Sequence, residues 1–345
     1  MSTNAPRNPR RALRIGVVLV FLVVAFLGSS PWWFNASRVA ALVLSQATTS
    51  TGLQWKIVGR PELRWKPMPW LALPKLSVID AQGAALFISE SVEVAVPWST
   101  LRGQGVAIDA VEMDAPIIDV DAVRRWLNTR PESADSPLPT LSHLSIRNGQ
   151  LKSTEWSLDA LSLQLFQLFE GQEARLEAEG VLALGEARNT FSLSAYATPR
   201  GTQKLLRFEN IRLALNSDGD LPKVDAQGSL QLGPSWALEM KGNMSQWPNA
   251  WGELPQPIAS SDAPFAFIAS QAGADALTAP VSLSLLRNDL SANLRFQPDH
   301  LQAWANSAQR EPTPPLTGKL SMPALTIDGV RMEDIEMTVE ESPSP

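Results

Sequence analysis

The sequence contains no cysteine, only two histidines and a single tyrosine. Without Cys there are no disulfides, no thiolate nucleophiles and no Cys-based zinc sites. With only His143 and His300, imidazole chemistry is scarce. A basic excess is also missing. The net charge is −6, and nucleic acid as a partner is excluded on that ground, because phosphate binding needs a basic patch. No G-x-S-x-G, Walker loop or H-E-x-x-H occurs. The sequence therefore nominates no catalytic residue, no metal ligand set and no cofactor, and an enzyme is not expected.

The groups that remain have plain readings. Asp109, Glu112, Asp114, Asp119 and Asp121 form the densest carboxylate cluster. A cation site is conceivable there, and a solvated strand edge is the plainer account. His143 stands between Leu141 and Leu144 at a strand start and reads as a hydrogen-bonded structural residue. His300, beside Asp299, lies on a predicted late helix. No nucleophile accompanies them to make a triad.

What is abundant is Trp, with twelve in all. The N-terminus reads RRALRIGVVLVFLVVAFLGSSPWWFNAS. From Ile15 to Ser37 there is no charge over 23 residues, where a membrane helix needs roughly 20. Arg7, Arg10, Arg11 and Arg14 precede this run, and the first acidic residue is Glu62. The positive-inside rule puts residues 1–14 in the cytoplasm and the bulk on the far side of the membrane. Ile15, Val20 and Phe26 belong to the expected anchor, 15–35, and Trp32 and Trp33 suit its outer interface. A cleaved signal peptide is the rival, with a small-residue site at Gly28-Ser29-Ser30. Pro31 directly after that site and the aromatic residues beyond it favour an uncleaved signal-anchor. Past the four Arg, the chain has 25 of its 29 basic residues against all 35 acidic ones, a balance of −10.

After a short helix near 36–47, capped by Ser37 and closed before Gly52, the pattern turns to period two. Ser91–Val96, Leu161–Leu165, Phe191–Ala195, Val281–Leu285 and Ile335–Val339 alternate apolar with polar residues, as half-buried strands do. Asn148-Gly149, Asp218-Gly219 and Asp328-Gly329 read as turns. The apolar phase flips at Leu165-Phe166, which predicts a bulge or bend. Short helices are expected at 121–128 and 298–309. PESADSPLP, 131–139, divides a module at 36–130 from an antiparallel meander at 140–340, and 341–345 form a tail. A loose repeat joins LPKLSVIDAQG, LSHLSIRNGQL and MPALTIDGVRM, each followed by a second alternating strand. The fold class expected is mainly β: an N-terminal transmembrane helix, then an elongated, twisted antiparallel sheet with few short helices.

The order of these features resembles the AsmA family of envelope proteins. An anchor and a short outer helix ending near Gly52 come first. Then follow QWKIVGRPELRWKPMPWLALPKLSVIDAQG, the strand ISESVEVAV, and Pro97-Trp-Ser-Thr-Leu101-Arg-Gly103. That last element is similar to the family's PxxLLxG, with Thr100 where a second Leu is common. Ile108, Val111 and Pro116 follow its next rhythm, and MPALTIDGVRMEDIEM resembles its closing strands. The resemblance covers residues 10–125 well and 140–310 thinly.

It implies a short member of the AsmA-like and TamB-like group of bridge-type lipid transport proteins. The chain would be single-pass in a bacterial inner membrane with its bulk in the periplasm. It would hold phospholipid acyl chains in an apolar β-groove and contribute to outer-membrane biogenesis. The expected lipid-facing residues are Trp65, Trp70, Val94, Leu161, Leu163, Leu165, Leu182, Phe191, Leu193, Leu213, Leu283, Leu285 and Met337. The alternative is a scaffold for envelope assembly or secretion, similar to the secretion-pathway N proteins, binding envelope proteins or its own copies. Period-two alternation fits an open groove and a closed sandwich core equally.

Overall fold

The computed structural model describes residues 36–339 apart from 67, 99–107, 130–137, 139, 203, 219–220, 248–257, 259–260, 275–277, 307–314 and 328–329. The expected anchor, with Ile15, Val20, Phe26, Trp32 and Trp33, and the basic tail, with Arg7, Arg10, Arg11 and Arg14, lie outside the described residues. So do the tail at 341–345 and, apart from Leu138, the Pro-rich break. Among the described residues no helix is long and apolar enough to cross a membrane.

Helix α1 (Ala36–Thr51) comes first. It stops where Gly52 adopts φ +70 and donates its N–H to the Thr48 carbonyl at 2.8 Å. A left-handed cap of this kind suits Gly because it has no β-carbon. Two short strands, β1 (Gln54–Ile57) and β2 (Glu62–Lys66), both pair with β3 (Met68–Ile79). β1 lies along Leu76–Ile79 and β2 along Met68–Ala72. The chain turns at Asp80, whose Oδ1 accepts the N–H groups of Gln82 and Ala84 at 2.9 and 2.8 Å. It returns as β4 (Ala85–Ala95).

β5 (Ala110–Asp114) and β6 (Ile117–Asp119) share one place in the sheet, interrupted at Ala115, φ +46. Both run antiparallel to β4 and parallel to β7 (Leu141–Lys152). The sheet is therefore mixed, where an antiparallel one was expected. The cause is the connection: α2 (Val120–Thr129) follows β6 directly, and a helix crossover returns the next strand in the same direction.

From β7 onward each strand pairs antiparallel with the next. The strands are β8 (Trp156–Leu168), β9 (Ala174–Leu184), β10 (Ala187–Gly201), β11 (Leu206–Ser217), β12 (Lys223–Leu232) and β13 (Trp236–Gln246). Then come β14 (Phe265–Gly273), β15 (Val281–Arg287) and β16 (Leu290–Phe296). Helix α3 (Pro298–Asn306) precedes β17 (Leu316–Ile327) and β18 (Val330–Val339). The result is one large twisted sheet with few helices. Among the described residues no ladder joins β18 back to β1 or β2.

Two local readings are corrected. Asn148-Gly149 is not a hairpin turn. Both residues lie inside β7, where Asn148 takes φ +52 at a register shift against β8. The left-handed backbone that Asn tolerates serves a bulge as well as it serves a turn. The bend in β8 falls at Ala160, φ +50, between Asp159 and Ser162, with Gln167 also left-handed at φ +57. Leu165 and Phe166 themselves keep an unbroken register with Leu176 and Arg175.

The packed core sits at the N-terminal end. Ala40 and Val43 of α1 bury Leu71, Leu73 and Leu76 of β3 and Val92, Val94 and Val96 at β4. A second cluster joins Leu53, Val78, Leu86 and Ala122 of α2. Trp126 of α2 donates its indole N–H to the Thr51 carbonyl at 3.1 Å, tying the two helices together.

Candidate functional site

Side chains directly opposite each other on paired strands share a face. Following that rule strand by strand sorts the sheet into two unlike surfaces. One row starts at Leu63, Leu71, Val94, Val111, Leu144, Leu165, Leu176 and Ala195. It continues through Leu213, Ala226, Gly242, Phe267, Leu285, Ala292, Leu320 and Met337. Every member is apolar or Gly from β2 to β18. A neighbouring row on the same face is Leu73, Val92, Met113, Ile146, Leu163, Ala178, Leu193, Leu215, Val224, Met244 and Phe265.

The row one residue along belongs to the other face. From β7 it reads His143, Phe166, Arg175, Tyr196, Arg212, Gln227, Lys241, Ile268, Ser284, Asn293, Lys319 and Thr338. This surface is held by polar contacts. The His143 ring packs on Phe166 at 4.9 Å. Arg212 lies over Tyr196 at 5.1 Å and pairs with Glu173 at 2.8 Å. A shallow recess of about 410 Å³ opens there, lined by Tyr196, Arg212, Asp225, Gln227 and Lys241.

Exposure follows the same division. On β12 and β13, Asp225, Gln227, Ser229, Glu239, Lys241 and Asn243 are exposed, while Val224, Ala226, Gly228, Leu238, Met240 and Gly242 are half-buried. A flat single layer would expose both faces alike. On these two strands the apolar side is therefore the more covered one. Glycine lets the backbones approach closely there: a β-carbon on Gly242 would stand 2.1 Å from the Asp225 carbonyl oxygen, and one on Gly228 would stand 1.9 Å from that of Glu239.

The expected lipid-facing residues fall into three groups. Leu163, Leu165, Leu182, Phe191, Leu193, Leu213, Leu283 and Leu285 are half-buried on the apolar face. Leu161 is there too, buried at 3% exposure, and Met337 is exposed on the edge strand. Trp65 shares the face of Leu63 but is exposed at the sheet's other end. Val94 and Trp70 need correction. Val94 is in the apolar row but lies in the core closed by α1. Trp70 pairs with Arg64 and Ala95 on the opposite face, because it stands one residue from Leu71 and adjacent strand residues point to opposite sides. The continuity of the apolar row through Ala195, Ala226, Gly242 and Ala292 was not visible in the sequence, since it emerges only from register.

The carboxylates do not converge. The Asp109 carboxylate accepts from the Ser142 hydroxyl at 2.7 Å. Asp119 accepts from the Ala122 N–H at 2.7 Å at the start of α2. Asp121 accepts from the Thr154 N–H and hydroxyl at 2.8 and 2.9 Å and from Ser153. These bonds, the Thr154 N–H foremost, hold the Asp121 carboxyl below its ordinary value of 3.8. Among the described residues no group of His, Asp and Glu is placed to hold a metal ion. Compared with family models, with curated proteins and with solved structures, the chain shows no match in any of the three.

Proposed function

We propose that the protein holds lipid acyl chains along the apolar face of its sheet, without turnover chemistry. In this reading residues 15–35 anchor it in a bacterial inner membrane as a short protein of the AsmA type. The sheet stands on the periplasmic side and contributes to phospholipid handling and outer-membrane biogenesis. The observation that carries the reading is the unbroken apolar row from Leu63 to Met337, which packs under α1 at its β2–β5 end and, apart from the buried Ala292, is half-buried or exposed from β7 to β18. Sixteen strand positions at about 4.8 Å each make an elongated groove on the order of 70 Å long. Each methylene that leaves water for this surface contributes roughly 0.8 kcal/mol. The half-burial of the lining supports an open groove over a sealed sandwich.

The test is native mass spectrometry of the full chain, released from detergent, with and without Leu163→Asp and Phe191→Asp. Phospholipid-mass adducts on the parent protein and their loss in a variant with an unchanged circular dichroism spectrum support the groove. Parent protein free of lipid contradicts it. The alternative, a scaffold for envelope or secretion assembly, is favoured by the ten-residue edge strand β18, whose free side could take a strand from an envelope protein or a second copy.

A further inference from the structure

Trp65 of β2 and Trp98, just past the end of β4, stack with ring centroids 5.4 Å apart and planes 28° from parallel. Both stand largely in the open, 54% and 43% exposed. Two large indoles stacked together at an exposed position form an apolar surface of the kind that marks an interaction site.

Their position says what that contact is. α1 delivers the chain through Gly52 straight into β1, which pairs with the Leu76–Ile79 end of β3. The Trp55 indole N–H, on the Thr51 hydroxyl at 3.2 Å, fixes the C-terminus of α1 at that end. α1 also touches β3 and β2, so it runs back along β3 toward the Met68 end. Its first residue, Ala36, packs on the cluster that contains Leu71 and Val96. Val96 in turn bonds to the Pro69 carbonyl at 2.9 Å. The point where the uncharged run 15–35 enters the fold is thus the end of the sheet that carries Trp65 and Trp98.

We infer that the Trp65–Trp98 pair rests in the headgroup layer of the bilayer that residues 15–35 cross, and seats the first strands of the sheet against that membrane. The inference depends on the anchor in the proposed function. Indole rings favour this layer because an apolar body and one N–H suit a half-wet medium. The chain past its four N-terminal Arg is acidic overall, so the contact does not call on anionic headgroups. Arg64 beside the pair is already matched by Glu62 at 3.2 Å and Glu93 at 2.5 Å. Zwitterionic lipid should therefore serve as well as anionic lipid.

The absence of cysteine makes the test clean. Trp98→Cys and, separately, Trp65→Cys give one labelling site each in the full chain. Ile268→Cys, at a position 58% exposed on the polar face, serves as the distant control. Each is labelled with a fluorophore and placed in phosphatidylcholine nanodiscs containing lipid with a nitroxide headgroup. The expected result is strong quenching by that lipid at positions 98 and 65 and none at 268. Quenching by aqueous iodide at 98 equal to that at 268, without lipid quenching, overturns the inference while leaving the anchor intact. Shielding from both quenchers shows a protein cover, either residues 1–35 or a second copy, and also overturns it. A chain that does not stay with the nanodisc overturns the inference together with the anchor.

Discussion

Arg212 and Leu213 are consecutive in β11 and stand on opposite faces of the sheet, Arg212 across from Tyr196 and Leu213 across from Ala195. One step along the chain separates a surface of cations, amides and aromatic rings from one of aliphatic side chains and glycine. The same step can be taken on almost every strand from β7 to β18. That regularity gives the sheet two unlike surfaces over most of its width.

Among the described residues the apolar row is packed under α1 at Leu71 and Val94 and is half-buried at Leu213, so a charge should be received differently in the two places. Val94→Asp puts a carboxylate among Val43, Leu71 and Val92. It should cost more than about 3 kcal/mol, because a buried unpaired charge has no partner to offset its desolvation. Leu213→Asp leaves the carboxylate in reach of water and should cost less than half as much, on the order of 1 kcal/mol. Urea unfolding of the two variants checks this, and equal large losses would mean that the face at β11 is sealed.

Gly242→Ala should destabilise the sheet by about 1–3 kcal/mol, the usual range for overpacking. The added carbon would meet the Asp225 oxygen, the Ala226 α-carbon and the Ala226 β-carbon at 2.1, 2.7 and 2.9 Å. Backbone cannot step aside as a flexible side chain can. Ser245→Ala, an exposed position on the same strand, should leave the unfolding midpoint unchanged within about 0.5 kcal/mol.

The bonds from Thr154 and Ser153 to Asp121 make one pH prediction. The carboxyl is held below its ordinary value of 3.8 in the folded chain. Its contribution is therefore present above that value and is lost as pH falls through the lower folded value. Asp121→Asn should unfold more easily than the parent at neutral pH, and the gap should close on acidification. Amide exchange at Thr154 followed from neutral to acid pH reads this directly. A gap that widens toward acid would contradict it.

Much of the fold was legible because alternation is local. Phe191–Ala195 and Val281–Leu285 showed their two faces within five residues each. Gly52 showed the end of α1, and the helices expected at 121–128 and 298–309 correspond to α2 and, as far as Asn306, to α3, with 307–309 outside the described residues. What was not legible depends on partners distant in sequence. Val94 and Leu213 look alike in a period-two pattern, and only the packing of α1 separates the covered residue from the open one. Aromatic richness near Trp65 says nothing about the parity of Trp70 against Leu71, which only the pairing of β3 with β2 and β4 shows. Asn148 carries the same left-handed preference in a bulge as in a turn, so its neighbours on β8 decide which it becomes. Ala226, Gly242 and Ala292 carry no signal singly. They matter because their strands line them up with Leu213, Phe267 and Leu285.

The most direct measurement is site-specific photo-crosslinking in cells, with a photoreactive residue placed at position 213 in one strain and at 212 in another. The two positions share depth, strand and expression and differ only in face. The account predicts adducts of phospholipid mass at 213 and none at 212. Lipid at neither position, or at both equally, would contradict it.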